Sequence, residues 1–179
     1  MKTTQILIAG FGGQGILFAG KFLAYKGLTE DLQVSWLPSY GPEMRGGTAN
    51  CNVILSDTPV GSPIIMTPDV LVAMNLPSLQ KYVDTVAPGG QIYVDSALIE
   101  EKVTRTDVEV FYIPATQMAK SEGIATLANM IIMGHLLENN PELSFEGTDT
   151  VVEKLVPPKK AALVELNMKA LLLGKEYGV

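Results

Sequence analysis

The sequence predicts an α/β fold, a single Rossmann-like domain with a mainly parallel sheet flanked by helices. Three observations predict it. Short apolar runs alternate with amphipathic stretches, as in successive βαβ units. The first run, Ile6-Leu7-Ile8-Ala9, passes through Gly10-Phe11-Gly12-Gly13-Gln14-Gly15 straight into a long amphipathic segment. That is the strand, glycine loop and helix with which open sheets begin. Several runs are apolar throughout, as parallel strands buried on both faces are. A chain of 179 residues is enough for one sizeable core, so residues 1–179 are expected to form one domain.

Each element follows in order. Lys2 to Ala9 reads as the first strand. Gln14 to Lys26 reads as a helix, with Ile16, Leu17, Gly20, Leu23 and Ala24 at helical spacing and Gly27 placed as its terminal glycine. Leu32 to Leu37 is the second strand. Thr48 to Ser56 is a third, with Ala49, Cys51, Val53 and Leu55 on one face and Thr48, Asn50, Asn52 and Ser56 mostly on the other. Val60 to Pro68 is a connection. Val70 to Met74 is a short apolar strand, and Asn75 to Ser78 turns into a helix over Ser78 to Val86. Pro88-Gly89-Gly90 is a turn before the strand Gln91 to Asp95. Glu109 to Ile113 is a further strand, and Pro114 opens a helical stretch ending near Gly123. Thr126 to Glu138 is a helix with the stripe Leu127, Met130, Ile131, Gly134 and Leu137. Phe145 to Leu155 is a shorter helix. Pro157-Pro158 breaks the pattern, and Lys159 to Leu173 is the last helix. The strand order is not encoded in these patterns.

Composition excludes several functions. The chain carries a net charge of −6, with a pI near 4.8. It gains no counterion-release affinity for nucleic acid and does not suit an anionic membrane surface. Its hydrophobic fraction is 47% and its mean hydropathy +0.24, yet no run approaches the roughly 20 apolar residues of a membrane span. The start, Met1-Lys2-Thr3-Thr4, moves straight into a strand pattern without a signal peptide. A single cysteine, Cys51, excludes an internal disulfide and a Cys-rich metal site. A soluble cytoplasmic protein with neither a nucleic-acid nor a membrane partner is expected.

Gly10, Gly12 and Gly15 fit G-x-G-x-x-G, the dinucleotide fingerprint. On that reading Gly10 makes the tight turn, Gly12 lets the backbone approach a phosphate, and Gly15 lets the helix pack on the first strand. The helix N-terminus then offers free N–H groups to an anion. The competing reading is that a sharp strand-to-helix turn favours glycine for itself. A dinucleotide site also needs an acid at the end of strand two, roughly 20 residues after the glycines. The residues there are Trp36-Leu37-Pro38-Ser39, and Glu30 and Asp31 fall at the wrong end. That argues against NAD or FAD.

A second loop, Ser39-Tyr40-Gly41-Pro42-Glu43-Met44-Arg45-Gly46-Gly47, is just as densely punctuated. Pro42 suits the first position of a helical turn and Gly46-Gly47 its end. Glu43 and Arg45 are either a solvated pair worth under ~1 kcal/mol or a ligand or partner contact, with Arg45 offering its fork of donors to a carboxylate or phosphate.

With GFGGQG after the first strand and SYGPEMRGGTANCNVILSD after the second, the chain resembles the gamma subunit of 2-oxoacid:ferredoxin oxidoreductases. The resemblance continues through LVAMN, APGGQIYVDSALI, ANMIIMGHLLE and the tail PPKKAALVELNMKALLLGKEYG. The pairing of the two glycine-rich loops is its most specific part. It implies a role in oxidative decarboxylation, in which a 2-oxoacid and coenzyme A give an acyl-CoA and carbon dioxide while ferredoxin takes the electrons. It implies thiamine diphosphate and magnesium in alpha and beta subunits, iron–sulfur clusters in partners such as a ferredoxin-like delta subunit, and a homodimer when isolated. It also implies a coenzyme A contact. Gly12, Gly13, Gln14 and Gly15 would form one wall of an anion- or partner-facing site, and Tyr40, Glu43, Arg45, Gly46 and Gly47 the second wall at the same sheet edge.

What the sequence lacks fits this division of labour. A [4Fe–4S] cluster takes four cysteine thiolates, and the chain has one cysteine. No GDG-type segment, H-E-x-x-H or G-x-S-x-G occurs. The single histidine, His135, lies mid-helix with no visible nucleophile or metal partner and reads as a packed or surface residue. Cys51 reads as core filler. Asp95 and Ser96 end a strand where ligands bind α/β sheets, but a helix or turn cap explains them as well. No catalytic residue is expected in this chain. Two other readings stay open: a stand-alone Rossmann-type nucleotide-binding oxidoreductase, and a purely architectural subunit.

Overall fold

The fully apolar centre of the first strand belongs in the middle of a sheet, and it lies there. In a computed structural model, which describes residues 2–39 and 48–178, Thr3–Phe11 (β1) buries Ile6, Leu7, Ile8 and Ala9. The chain continues through Ile16–Thr29 (α1), Gln33–Ser39 (β2), Thr48–Ser56 (β3), Val70–Ala73 (β4), Leu76–Tyr82 (α2), Gln91–Asp95 (β5) and Glu109–Ile113 (β6). Four helices follow: Ala115–Ser121 (α3), Ala128–Glu138 (α4), Thr148–Leu155 (α5) and Ala162–Glu176 (α6).

The sheet has six strands in the order β2-β3-β1-β4-β5-β6. β1, β4, β5 and β6 pair in parallel, while β3 is antiparallel to both β1 and β2. Every strand but β3 therefore points the same way, and the sheet is mainly parallel. Only residues 40–47 join β2 to β3, fewer than the dozen or so that a parallel crossover requires.

The two faces are covered unequally. Ile6, Ile8, Cys51, Val53, Val70 and Val72 face α1, α4, α5 and α6 in the larger cluster. Leu7, Leu71, Ala73, Ile92 and Val94 face Leu79 of α2, Val86 and Ile99 in the smaller one. α4 departs from the stripe expected of it. All its residues from Ala128 to Leu137 are buried, because the sheet covers one side and α6 the other. The α4–α6 contact is made by backbone: a Cβ on Gly134 would fall 2.7 Å from the Leu171 carbonyl carbon, and one on Gly174 would fall 2.9 Å from the His135 nitrogen.

Several boundaries differ from the sequence reading for local reasons. β2 runs to Ser39 through Pro38, which an edge strand tolerates. α1 continues past Gly27 to Thr29, so Gly27 is not its end. Gly27 instead gives room to the β-sheet, since a Cβ there would lie 2.5 Å from Leu55 Cδ2. The left-handed residue after the helix is Asp31, at φ 57°. α2 starts earlier than Ser78 because Asn75 caps it, accepting from Ser78 N at 2.8 Å. It closes in a 3-10 turn, Val83–Thr85. Another such turn, Ala125–Leu127, precedes α4. α5 begins at Thr148 rather than Phe145, behind Gly147 at φ 74°. Lys26 is buried: its Nζ donates to Glu30 and, at 2.8 Å, to Glu146 O, tying α1 to the segment before α5.

Candidate functional site

Residues 12–15 alone turn the chain from β1 into α1. Gly13 at φ 95° and Gly15 at φ 73° take the left-handed conformations that glycine adopts without a Cβ clash. The glycine roles differ from those of the dinucleotide fingerprint. Gly10 is still part of β1, and a Cβ there would sit 2.6 Å from Gln14 Oε1 and 3.1 Å from Met74 Cβ. Gly15 gives room to α4 rather than to β1, since its Cβ would lie 2.5 Å from Asn129 Nδ2. Asn129 Nδ2 donates to Gly15 O at 3.0 Å.

Gln14 closes the loop from inside. Its Oε1 accepts from Phe11 N at 2.6 Å, and its Nε2 donates to Met74 O at 2.8 Å. The side chain therefore bridges the carboxyl ends of β1 and β4. The helix after β1 packs on one face of the sheet and the helix after β4 on the other. Gln14 thus occupies the switch-point crevice where α/β sheets bind ligands. Beside it, the first turn of α1 contains no acid, and its capping residue, Gly15, has no side chain to satisfy the free N–H groups. That turn remains attractive to an anion.

Tyr40, Glu43, Arg45, Gly46 and Gly47 lie outside the described residues. The residues that flank them do not: Thr48 pairs with Phe11, and Ser39 pairs with Asn50. Both ends of the segment leave the sheet where the Gly12–Gly15 loop leaves it. β2 ends on Leu37, Pro38 and Ser39, with no carboxylate for a ribose.

The other residues singled out in the sequence have structural partners. Asp95 is fully buried and accepts from Thr116 Oγ1 at 2.6 Å, Ala97 N at 3.2 Å and Thr116 N at 3.3 Å. It caps the start of α3, and Ser96 N donates to Ile113 O at 2.9 Å. Cys51 is buried, with its thiol 3.5 Å from Ile16 O, and burial pushes its pKa up to about 12. A thiol so held is no nucleophile near neutral pH. His135 Nδ1 bonds Gly174 O at 3.1 Å, and the ring lies edge-on to Tyr93, Phe111 and Tyr177. Desolvation holds it below the usual histidine range. It is a packed core residue.

Sequence reasoning missed Asn129 and Asn167. Both are 2% exposed, and both line a cavity of about 250 Å³ beside Gly15. Asn129 carried a readable signal, a lone amide at the head of an apolar helix. Its partner Gly15 is 114 residues away, which no local pattern reveals.

Residues 5–177 match the family described as Pyruvate ferredoxin/flavodoxin oxidoreductase. The chain belongs to this family. It is 36% identical over 179 residues to the 2-oxoglutarate synthase subunit KorC of Methanothermobacter thermautotrophicus, covering 96% of this chain and 93% of KorC. It is 38% identical over 173 residues to the ketoisovalerate oxidoreductase subunit VorA of the same organism, covering 97% of this chain. The chain spans only 36% of the length of VorA. Among solved structures, it superposes with a TM-score of 0.82 and 31% identity on the keto/oxoacid ferredoxin oxidoreductase gamma subunit from Geobacter sulfurreducens, covering 97% of this chain and 96% of that one. It also superposes, with a TM-score of 0.88 and 26% identity, on the 2-oxoglutarate:ferredoxin oxidoreductase from Magnetococcus marinus with 2-oxoglutarate, coenzyme A and succinyl-CoA bound. That match covers 98% of this chain and 31% of the other. Within the family, the chain is similar to free-standing gamma subunits and to one portion of longer chains. Among the described residues no helix is long and apolar enough to cross a membrane.

Proposed function

We propose that the chain works as the gamma subunit of a multisubunit 2-oxoacid:ferredoxin oxidoreductase. The enzyme converts a 2-oxoacid, coenzyme A and oxidised ferredoxin to an acyl-CoA, carbon dioxide and reduced ferredoxin. The observation that carries the reading is the shared sheet end. The Gly12–Gly15 loop and both ends of the segment holding Tyr40, Glu43, Arg45, Gly46 and Gly47 emerge there, in a chain whose family performs this class of chemistry. These nine residues form the surface that meets coenzyme A and the partner subunits. Arg45 supplies a fork of donors to phosphate, and the first turn of α1 adds unpaired N–H groups.

The redox and thiamine chemistry belongs to the partners, the alpha and beta subunits and a ferredoxin-like delta subunit. An iron–sulfur cluster does not fit this chain's donors, because it takes four thiolates and the one thiol, Cys51, is buried. The chain alone is inactive, and it positions rather than transforms. The test is reconstitution with the thiamine-binding and ferredoxin-like subunits. The expected result is stable co-purification and coenzyme A-dependent ferredoxin reduction that is lost when this chain is omitted. Full activity without it would overturn the proposal.

A further inference from the structure

In a parallel pair of strands, a residue that donates its N–H to residue i of its neighbour accepts with its C=O from the N–H of residue i+2. Met74 N donates to Ala9 O at 2.9 Å, so the next rung of a regular ladder would run from Phe11 N to Met74 O. Gln14 takes its place. The side-chain amide stands between the two groups, with Oε1 2.6 Å from Phe11 N and Nε2 2.8 Å from Met74 O. Turning the amide over would set oxygen against Met74 O and N–H against the Phe11 N–H, so its partners fix its orientation. Where a regular ladder has one hydrogen bond, the strands are held apart by two bonds and an amide.

The surroundings are arranged around this insertion. Gly10 lies alongside, and a Cβ there would fall 2.6 Å from Gln14 Oε1. Gln14 N donates to Phe11 O at 3.2 Å, which closes the turn Phe11-Gly12-Gly13-Gln14 with Gly13 at φ 95°. One residue thus ties both polar groups of the Phe11 backbone. Between β5 and β6, by contrast, the ladder runs on past Asp95 by a direct bond, Ser96 N to Ile113 O at 2.9 Å. A direct rung would satisfy Phe11 N and Met74 O equally well and would spare the entropy of ordering a glutamine side chain. Fold stability therefore does not call for the insertion. It falls at the switch point, where parting the carboxyl ends of two strands widens the crevice that α/β sheets offer to ligands.

We propose that Gln14 is a positioning residue: its amide, inserted as an extra rung, holds the carboxyl ends of β1 and β4 apart and sets the Gly12–Gly13 turn beside the crevice. It acts through that turn, since both polar atoms of its side chain are engaged inside the protein. Without the amide, Phe11 N closes on Met74 O, the ladder gains its missing rung, and the turn is drawn towards β4. What the turn meets rests on the coenzyme A reading above.

The test measures scalar couplings across hydrogen bonds in the ¹⁵N,¹³C-labelled full chain. In the parent protein Phe11 N couples to the side-chain carbonyl carbon of Gln14. In Q14A it couples to the carbonyl carbon of Met74. Lack of either coupling overturns the inserted rung, and so does an unfolded Q14A, because the amide would then serve the fold. In the assembled enzyme Q14A raises the coenzyme A KM about tenfold, within the cost of misplacing a site by about 1 Å, while the 2-oxoacid KM stays constant. A merely loosened fold would not separate the two. If Q14A leaves the coenzyme A KM unchanged while Arg45→Ala raises it, the positioning role fails and the coenzyme A reading stands. If neither variant moves it, both fail.

Discussion

The contact between α4 and α6 leaves no space for a side chain, and this gives a sharp prediction. In Gly174→Ala the added methyl would lie 2.7 Å from the Ile131 carbonyl carbon and 2.9 Å from His135 N. In Gly134→Ala it would lie 2.7 Å from the Leu171 carbonyl carbon and 2.9 Å from its Cα. Carbon atoms pack at about 3.5–4.0 Å, so the helices must part by about 1 Å. The obstacles are backbone atoms, and no rotamer change relieves them. Overpacking of this kind costs about 1–3 kcal/mol and occasionally more. Alanine regains about 1 kcal/mol of helix propensity over glycine. The clash is with rigid backbone, so the upper end of the first range applies, and each variant should lose about 2 kcal/mol net. Equilibrium urea unfolding checks this: the midpoint falls while the m-value stays constant. The double variant should cost less than the sum, because one separation accommodates both methyls. A single variant as stable as the parent protein would refute the close-approach account of α4 and α6.

Three further outcomes follow from the same geometry. Gly15→Ala must hold φ 73° and meet Asn129 Nδ2 at 2.5 Å; it should lose at least about 1–2 kcal/mol, measured by denaturant unfolding. His135 is held below its usual pKa, chiefly by burial, so the unfolded chain takes up a proton at a higher pH than the folded one. Stability is then complete above the unfolded value of about 6.5 and falls as pH drops below it. A pH series of melts should show this slope, and His135→Phe should flatten it. The Cys51 thiol, raised to about 12 and buried, should resist iodoacetamide at neutral pH in the native protein and react on unfolding; mass spectrometry of alkylated samples reads this directly.

The apolar runs and the glycine spacing made the strand–loop–helix start legible, along with nearly every later element. Fully apolar Val70–Ala73 declared a strand buried on both faces, and the half-polar face of Thr48–Ser56 marked a strand of another kind. That β3 runs antiparallel between β1 and β2 was not legible, because pairing is chosen by contacts across the sheet rather than by a strand's own residues. The glycines show the same limit. Gly27 follows a helical pattern and resembles a helix end, but Leu55 and Val34 need the space above it. Gly10 and Gly15 match a phosphate fingerprint, yet what demands them here is Met74, Gln14 and Asn129. Lys26 lies in the last turn of α1, and nothing local encodes its burial, because Glu146 O, which accepts from its Nζ, is 120 residues away. The glycine loop was legible as the turn into α1. The asparagines beside it were not, because Asn129 finds its partner 114 residues away and Asn167 bonds only within its own helix.

The most direct test of the central claim is the coenzyme A KM of the reconstituted enzyme carrying Arg45→Ala. If the second loop meets coenzyme A as proposed, the KM rises about tenfold, the loss of one charge-assisted phosphate contact. Assembly and the 2-oxoacid KM stay unchanged. An unaltered coenzyme A KM, or loss of assembly with no effect on coenzyme A in the complex that remains, would contradict it.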